Sequence, residues 1–186
     1  MLKKSLIIVA LSIISSTIFA QDVKKEAEVV KTKMEAFASK TGIITKFTDY
    51  KLPNLKTTYG GFSETRIRKV NSGSATTFFY QIEKAGKYSN STASIEYSDL
   101  IEVIKALKSL KSEVNQDVTN NPDYLENKFT TVDGFKIGYF VNKGKASWYL
   151  QLEKYGSDNT IFIESGETLE IALDEAKSKI DELKKI

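Results

Sequence analysis

Residues 44–186 carry two hydrophobic periods in alternation, and they carry the alternation twice. Phe78, Tyr80 and Ile82 recur at every second position within 76–83, which puts one face of a strand inward. Shorter runs of the same kind fall at 44–52, 64–70 and 93–97. The period then lengthens: Leu100, Val103, Ile104, Leu107 and Val114 form one stripe at 3.6 residues per turn, the mark of an amphipathic helix. Ser98 or Asp99 is placed to cap that helix, and Glu102 to complete a capping box from Asp99. After a polar linker at 115–123 the pattern starts again, with strands at 125–132, 135–141, 146–153 and 160–164. A last helix opens at Ser165-Gly166 with Leu169, Ala172, Leu173, Ala176, Ile180 and Leu183 as its stripe.

Identities follow the pattern. Gly61-Phe62 aligns with Gly134-Phe135, Val70-Asn71 with Val141-Asn142, and Gly73 with Gly144. Gln81, Glu83, Lys84 and Gly86 align with Gln151, Glu153, Lys154 and Gly156, and Ile95-Glu96 with Ile163-Glu164. On this alignment Trp148 and Phe78 are equivalent inward residues, one per repeat. Residues 53–61, beginning at Pro53-Asn54, form an insertion that the second unit lacks. The expected fold class is therefore α+β: tandem duplicated ββββα units, each an antiparallel meander, forming a pseudo-dimer whose helices pack on the sheets. The divisions are 1–20 signal peptide, 21–42 N-terminal helix, 43–114 first repeat, 115–123 linker and 124–186 second repeat.

The start of the chain places it outside the cytoplasm. Lys3 and Lys4 precede a short apolar run, and Ala20 is a small residue at the expected cut. The run is too short to span a bilayer, so no membrane span is expected after cleavage. Residues 22–40 read as an amphipathic helix on Val23, Ala27, Val30, Met34 and Phe37, stopped by Thr41-Gly42. It either lies across the domain or serves as a partner-binding arm. The expected location is the periplasm or the extracellular space.

Composition narrows the chemistry. With no cysteine and no histidine, thiolate, disulfide, serine–histidine and histidine–metal chemistry are absent. No cofactor, no metal site and no catalytic residue are assigned. The formal charge is +3, and +1 without Lys3 and Lys4, so nucleic acid is not an expected partner. Glu83 and Glu153 could form a pseudo-symmetric carboxylate pair, but duplication alone accounts for both. Asn90-Ser91-Thr92 has the spacing of an N-glycosylation acceptor.

Binding candidates lie on the outward-facing positions. Alternation turns Phe79, Gln81 and Glu83 away from Phe78 and Tyr80, and turns Tyr149, Gln151 and Glu153 the same way in the second unit. Phe140 and Phe162 join them from neighbouring strands. Such a face can stack bases, sugars or a partner's side chains, unless the other half or the N-terminal helix covers it. Arg66 and Arg68 share one face of their strand and suit phosphate or carboxylate recognition if they lie beside Phe79. The alignment of Val70 with Val141 would turn that parity inward, and only a bulge would reconcile the two.

The doubled four-strands-then-helix unit, over residues 44–186, resembles the Whirly-type and PUR-type single-stranded nucleic-acid-binding proteins. Lys143-Gly144-Lys145-Ala146 is similar to a lysine-glycine-lysine-alanine stretch of plant Whirly proteins. The resemblance implies the fold; if the outer face binds single strands, Phe79 and Tyr149 would stack bases while Arg66, Arg68, Lys143 and Lys145 would neutralise phosphates. The leading expectation is a secreted or periplasmic, non-enzymatic binding or structural protein of unknown ligand, with protein or glycan as candidate partners. The alternative is a single-stranded nucleic-acid binder of the Whirly-like type, and a carboxylate enzyme stands third.

Overall fold

The computed structural model describes residues 31–156 and 158–185. The expected signal peptide and the first part of the expected N-terminal helix lie outside the described residues. Within them, α1 (Lys33–Ala38) is followed by β1 (Thr45–Lys56), β2 (Phe62–Ser72), β3 (Ala75–Lys84), β4 (Ser91–Glu96) and α2 (Tyr97–Thr119). The second unit repeats the order as β5 (Leu125–Thr130), β6 (Lys136–Asn142), β7 (Lys145–Gln151), β8 (Thr160–Ile163) and α3 (Gly166–Leu183). Each group of four strands makes its own antiparallel meander, β1-β2-β3-β4 and β5-β6-β7-β8. The class is α+β, with two four-stranded sheets, each followed by a helix.

Several boundaries differ from the sequence expectation. Pro53-Asn54 does not end β1. The register shifts by one residue between Leu52 and Leu55, so the pair forms a bulge and the strand runs on to Lys56. The Pro53 carbonyl left out of the ladder accepts a hydrogen bond from Thr65 Oγ1 at 2.8 Å. The capping box expected from Asp99 does not form. Tyr97 already begins α2, Glu96 is its N-cap without a side-chain bond, and Asp99 accepts instead from Lys33 Nζ at 2.7 Å. The helix also continues beyond Val114 through Thr119, into the stretch read as linker. A capping box does form on α1, between Thr32 and Glu35.

The repeat is real, but its register is not the one the identities suggest. Ile67, Tyr80 and Ile95 stand in one cross-strand row, and Ile137, Leu150 and Ile161 in its counterpart. Ile161 is thus the partner of Ile95, and Phe162 that of Glu96. Likewise Val70 sits opposite Thr77 as Phe140 sits opposite Ser147, so Val70 corresponds to Phe140. Val70, Arg68 and Arg66 therefore share the outer face with Phe79, with no bulge in β2 against either neighbour at these residues. Phe78 and Trp148 keep their equivalence, and both are buried.

The helices interlock the two units. α2 leaves β4 and lies along β5, β6 and β7 of the other sheet as well as β3 and β4 of its own. α3 reaches back to β1 and β2 while touching β8, and the two helices pack on each other. Leu100, Val103, Leu107 and Leu110 of α2 and Leu169, Leu173, Ala176, Ile180 and Leu183 of α3 join the inner faces of both sheets in one core. No described helix is long and apolar enough to cross a membrane.

Candidate functional site

The outer faces of the two sheets meet different fates. On the first sheet α1 packs against β2 and β4, and Phe79 is only 1% exposed. Gln81 Nε2 lies 3.5 Å from Met34 Sδ and donates to Ser94 Oγ at 2.8 Å. Lys33 Nζ clamps the helix start to Asp99 at 2.7 Å and Glu96 at 3.3 Å, and the Lys33 amide donates to Asp133 Oδ2 at 3.0 Å. Burial pushes the Asp133 carboxyl above its usual range, against the pull of that amide. Phe79 cannot serve as a surface stacking residue here, because its ring is enclosed.

Arg66 and Arg68 do reach the outer face, and each is already matched. Arg68 forms a two-pronged pair with Asp49, at 2.7 and 2.6 Å. Arg66 donates to Gln81 Oε1 at 2.8 Å and Glu83 Oε2 at 2.7 Å. The Arg68 hydrogen bonds hold Asp49 below the ordinary carboxylate range, and Arg66 does the same for Glu83. The two arginines tie β1, β2 and β3 together across the ladder. Glu83 is thus held ionised, the reverse of what a general acid needs, while Glu153 accepts from the Thr92 amide at 3.0 Å.

The second sheet brings Phe140, Tyr149 and Phe162 together as the alternation requires. Phe140 lies 6.4 Å from Tyr149 and 6.3 Å, edge-on, from Phe162. Two tyrosines extend the group at opposite ends. Tyr124 stacks on Phe140 at 6.3 Å, and Tyr59 meets Phe162 edge-on at 5.9 Å. These spacings and angles suit the ring quadrupoles. The path Tyr124–Phe140–Phe162–Tyr59 runs across the face; Tyr149 lies against Phe140 and is itself buried, at 6% exposure, so its ring is not open to stack a ligand. The ends of the path are open: Tyr124 is 62% and Tyr59 82% exposed.

Neither tyrosine was singled out by the sequence. Tyr124 has the parity of Glu126 and Lys128 on β5, a signal that was legible once the strand was placed. Tyr59 comes from the insertion in the first unit, which has no period to read. The insertion folds across to the second sheet, where the Thr58 amide donates to the Phe162 carbonyl on edge strand β8 at 2.9 Å. The first repeat thereby completes the second repeat's surface.

The polar rim is fixed. Tyr149 donates its hydroxyl to Glu126 Oε1 at 2.6 Å, and Lys128 pairs with Glu126 Oε2 at 2.5 Å. Those partners, Lys128 foremost, lower the Glu126 carboxyl, while burial and the facing carboxylate raise the Tyr149 hydroxyl. Lys136 Nζ donates to Gln151 Oε1 at 3.0 Å. Gly138 lies between Lys128 and Tyr149 in this row. A Cβ there would fall 2.3 Å from the Asn127 carbonyl oxygen, so glycine lets β5 close on β6.

Lys143 and Lys145 flank the face at the β6–β7 turn. Lys143 (φ 50°) and Gly144 (φ 70°) both take positive φ, the geometry of a two-residue type I′ hairpin. Both lysines are exposed and make no ion pair among the described residues. No cluster of three acidic residues able to hold a metal ion occurs among the described residues. Comparison of the chain with known protein families, characterised proteins and solved structures gives no match.

Proposed function

We propose that this is an exported, non-catalytic binding protein whose ligand surface is the outer face of the second sheet. One observation carries the reading. Four aromatic rings, Tyr124, Phe140, Phe162 and Tyr59, form a continuous path there with both ends exposed, and no described helix packs on it, whereas α1 packs on the equivalent face of the first sheet. Contiguous aromatic patches at the surface mark interaction sites, because leaving such area in water has a cost that a partner removes. The rings are pre-positioned by one another and by the Tyr149–Glu126 bond, so little ordering entropy is lost when a ligand lands. Export accords with the charged start and short apolar run of residues 1–20.

A single-stranded nucleic-acid partner is the second reading, favoured by the stacked Tyr124–Phe140 pair and by the exposed Lys143 and Lys145, which make no ion pair among the described residues. Against it, Glu126 and Glu164 lie on the same face, and the arginines that would add phosphate contacts are matched by carboxylates. A photo-reactive amino acid placed at Tyr124, with Tyr88 as an exposed control outside the patch, separates these cases in the native compartment. The expected result is a discrete adduct from position 124, absent from position 88 and resistant to nuclease. A nuclease-sensitive adduct would favour the second reading, and equal labelling at the two positions would contradict both.

A further inference from the structure

The duplication indicates what occupies the bare face. On the first sheet the outer surface is closed by a short amphipathic helix, which sets Met34 against Gln81 and sends Lys33 to the carboxylates at the β4–α2 junction. The second sheet repeats the receiving surface. Tyr149 stands where Phe79 stands, Gln151 where Gln81 stands and Phe140 where Val70 stands. Phe162 replaces Glu96 in the row, and the acid moves on to Glu164, immediately before the N-cap of α3. Glu164 is exposed and has no ion-pair partner among the described residues. The second face is therefore more aromatic than the first, keeps at the same junction a carboxylate without an ion-pair partner among the described residues, and carries no described helix.

Resting on the reading that this face binds, we infer that it receives an amphipathic helix of another exported protein, presenting methionine or phenylalanine to the Tyr124–Phe140–Phe162–Tyr59 path and a lysine to Glu164. Helix docking of this kind draws its affinity from a few apolar anchors at i, i+3 and i+4 spacing, and Met34 and Phe37 of α1 have that spacing. The lysine fixes polarity, as Lys33 does on the first sheet.

The chain supplies its own probe. A fluorescein-labelled synthetic peptide of residues 22–40 is titrated against the full exported protein by anisotropy, with a Met34→Ser/Phe37→Ser peptide as control. Saturable one-to-one binding in the micromolar range is expected for the native peptide and none for the control. Glu164→Lys should weaken it tenfold or more, and Glu96→Lys should leave it unchanged. Glu164 is exposed, so that variant should keep the wild-type melting temperature, checked by circular dichroism. Loss of binding in Glu96→Lys but not in Glu164→Lys would overturn the inference, since the peptide would then be exchanging with α1 on the first sheet. Absence of binding would overturn it as well. If position 124 still forms its discrete adduct, only the helix falls; if that adduct is missing too, the binding face itself is wrong.

Discussion

Expressed separately, residues 31–120 and 121–186 will each remain largely unfolded, although each holds a complete four-stranded meander. The reason is the exchange of helices. The first fragment loses α3, and with it the cover over β1 and β2; the second loses α2, which lies over β5 and β6. Leu169, Leu173, Ile180 and Leu183 of α3 are all buried. At roughly 1.5–3 kcal/mol for each such side chain, their removal costs on the order of 6–12 kcal/mol. That equals the whole stability of an ordinary domain, about 5–15 kcal/mol. Circular dichroism and amide exchange of the separate and mixed fragments test this. A cooperative melt from either fragment alone would contradict the interlocked core.

Trp148→Ala should destabilise the protein by roughly 3–5 kcal/mol, the usual cost of truncating a buried aromatic. The indole is 7% exposed, packs 5.0 Å from the Tyr139 ring, and lies close against Gly166, where a Cβ would sit a tight 3.0 Å from Cζ2. For a chain of this size the melting temperature should fall by about 6–20 °C. Phe78→Ala, its counterpart, should do the same, and it offers a sharper reading. Trp148 is the only tryptophan, so its fluorescence reports the second repeat. In Phe78→Ala that signal should shift together with the circular dichroism. A fluorescence transition left at the wild-type temperature would mean two independent cores.

Much of this architecture was legible because alternation and helical period are written directly in Phe78-Tyr80-Ile82 and in Leu100 to Leu107. The register was not. Both β2–β3 and β6–β7 are joined by two-residue turns, but glycine is first in Gly73-Ser74 and second in Lys143-Gly144. Matching the glycines drags the alignment by one residue and sets Val70 on Val141 instead of Phe140. On β4 and β8 a slip of two residues leaves every side chain on its own face, so the pattern cannot detect it. A stripe also says that a helix is buried without saying against which sheet, which is why the exchange of α2 and α3 had no signature. Among the candidate site residues, Phe140, Tyr149 and Phe162 converge as parity demanded. Phe79 and Tyr149 share that parity and are both buried, so parity gives the face of a ring and not its exposure, which depends on neighbours distant in sequence. Arg66 and Arg68 face outward as one of the two readings held, but Asp49 and Glu83 claim them.

The contrast between the two outer faces also explains why so duplicated a chain would keep asymmetric features. The 53–61 insertion exists only in the first unit, yet it delivers Tyr59 to the second sheet and hydrogen-bonds to β8. The two surfaces have thus diverged in opposite directions, one closed by the chain itself and one enlarged by it.

Tyrosine reactivity is the most direct measure of whether the enlarged face is used. Tyr59 and Tyr124 are on the path, and Tyr88, 90% exposed, lies outside it in the β3–β4 loop. Nitration with tetranitromethane, followed by mass spectrometry, is compared between the purified protein and the protein in its native compartment. All three tyrosines should react in the purified protein, and of the three only Tyr59 and Tyr124 should become protected in place. Equal reactivity of the three in both settings would contradict that use of the face.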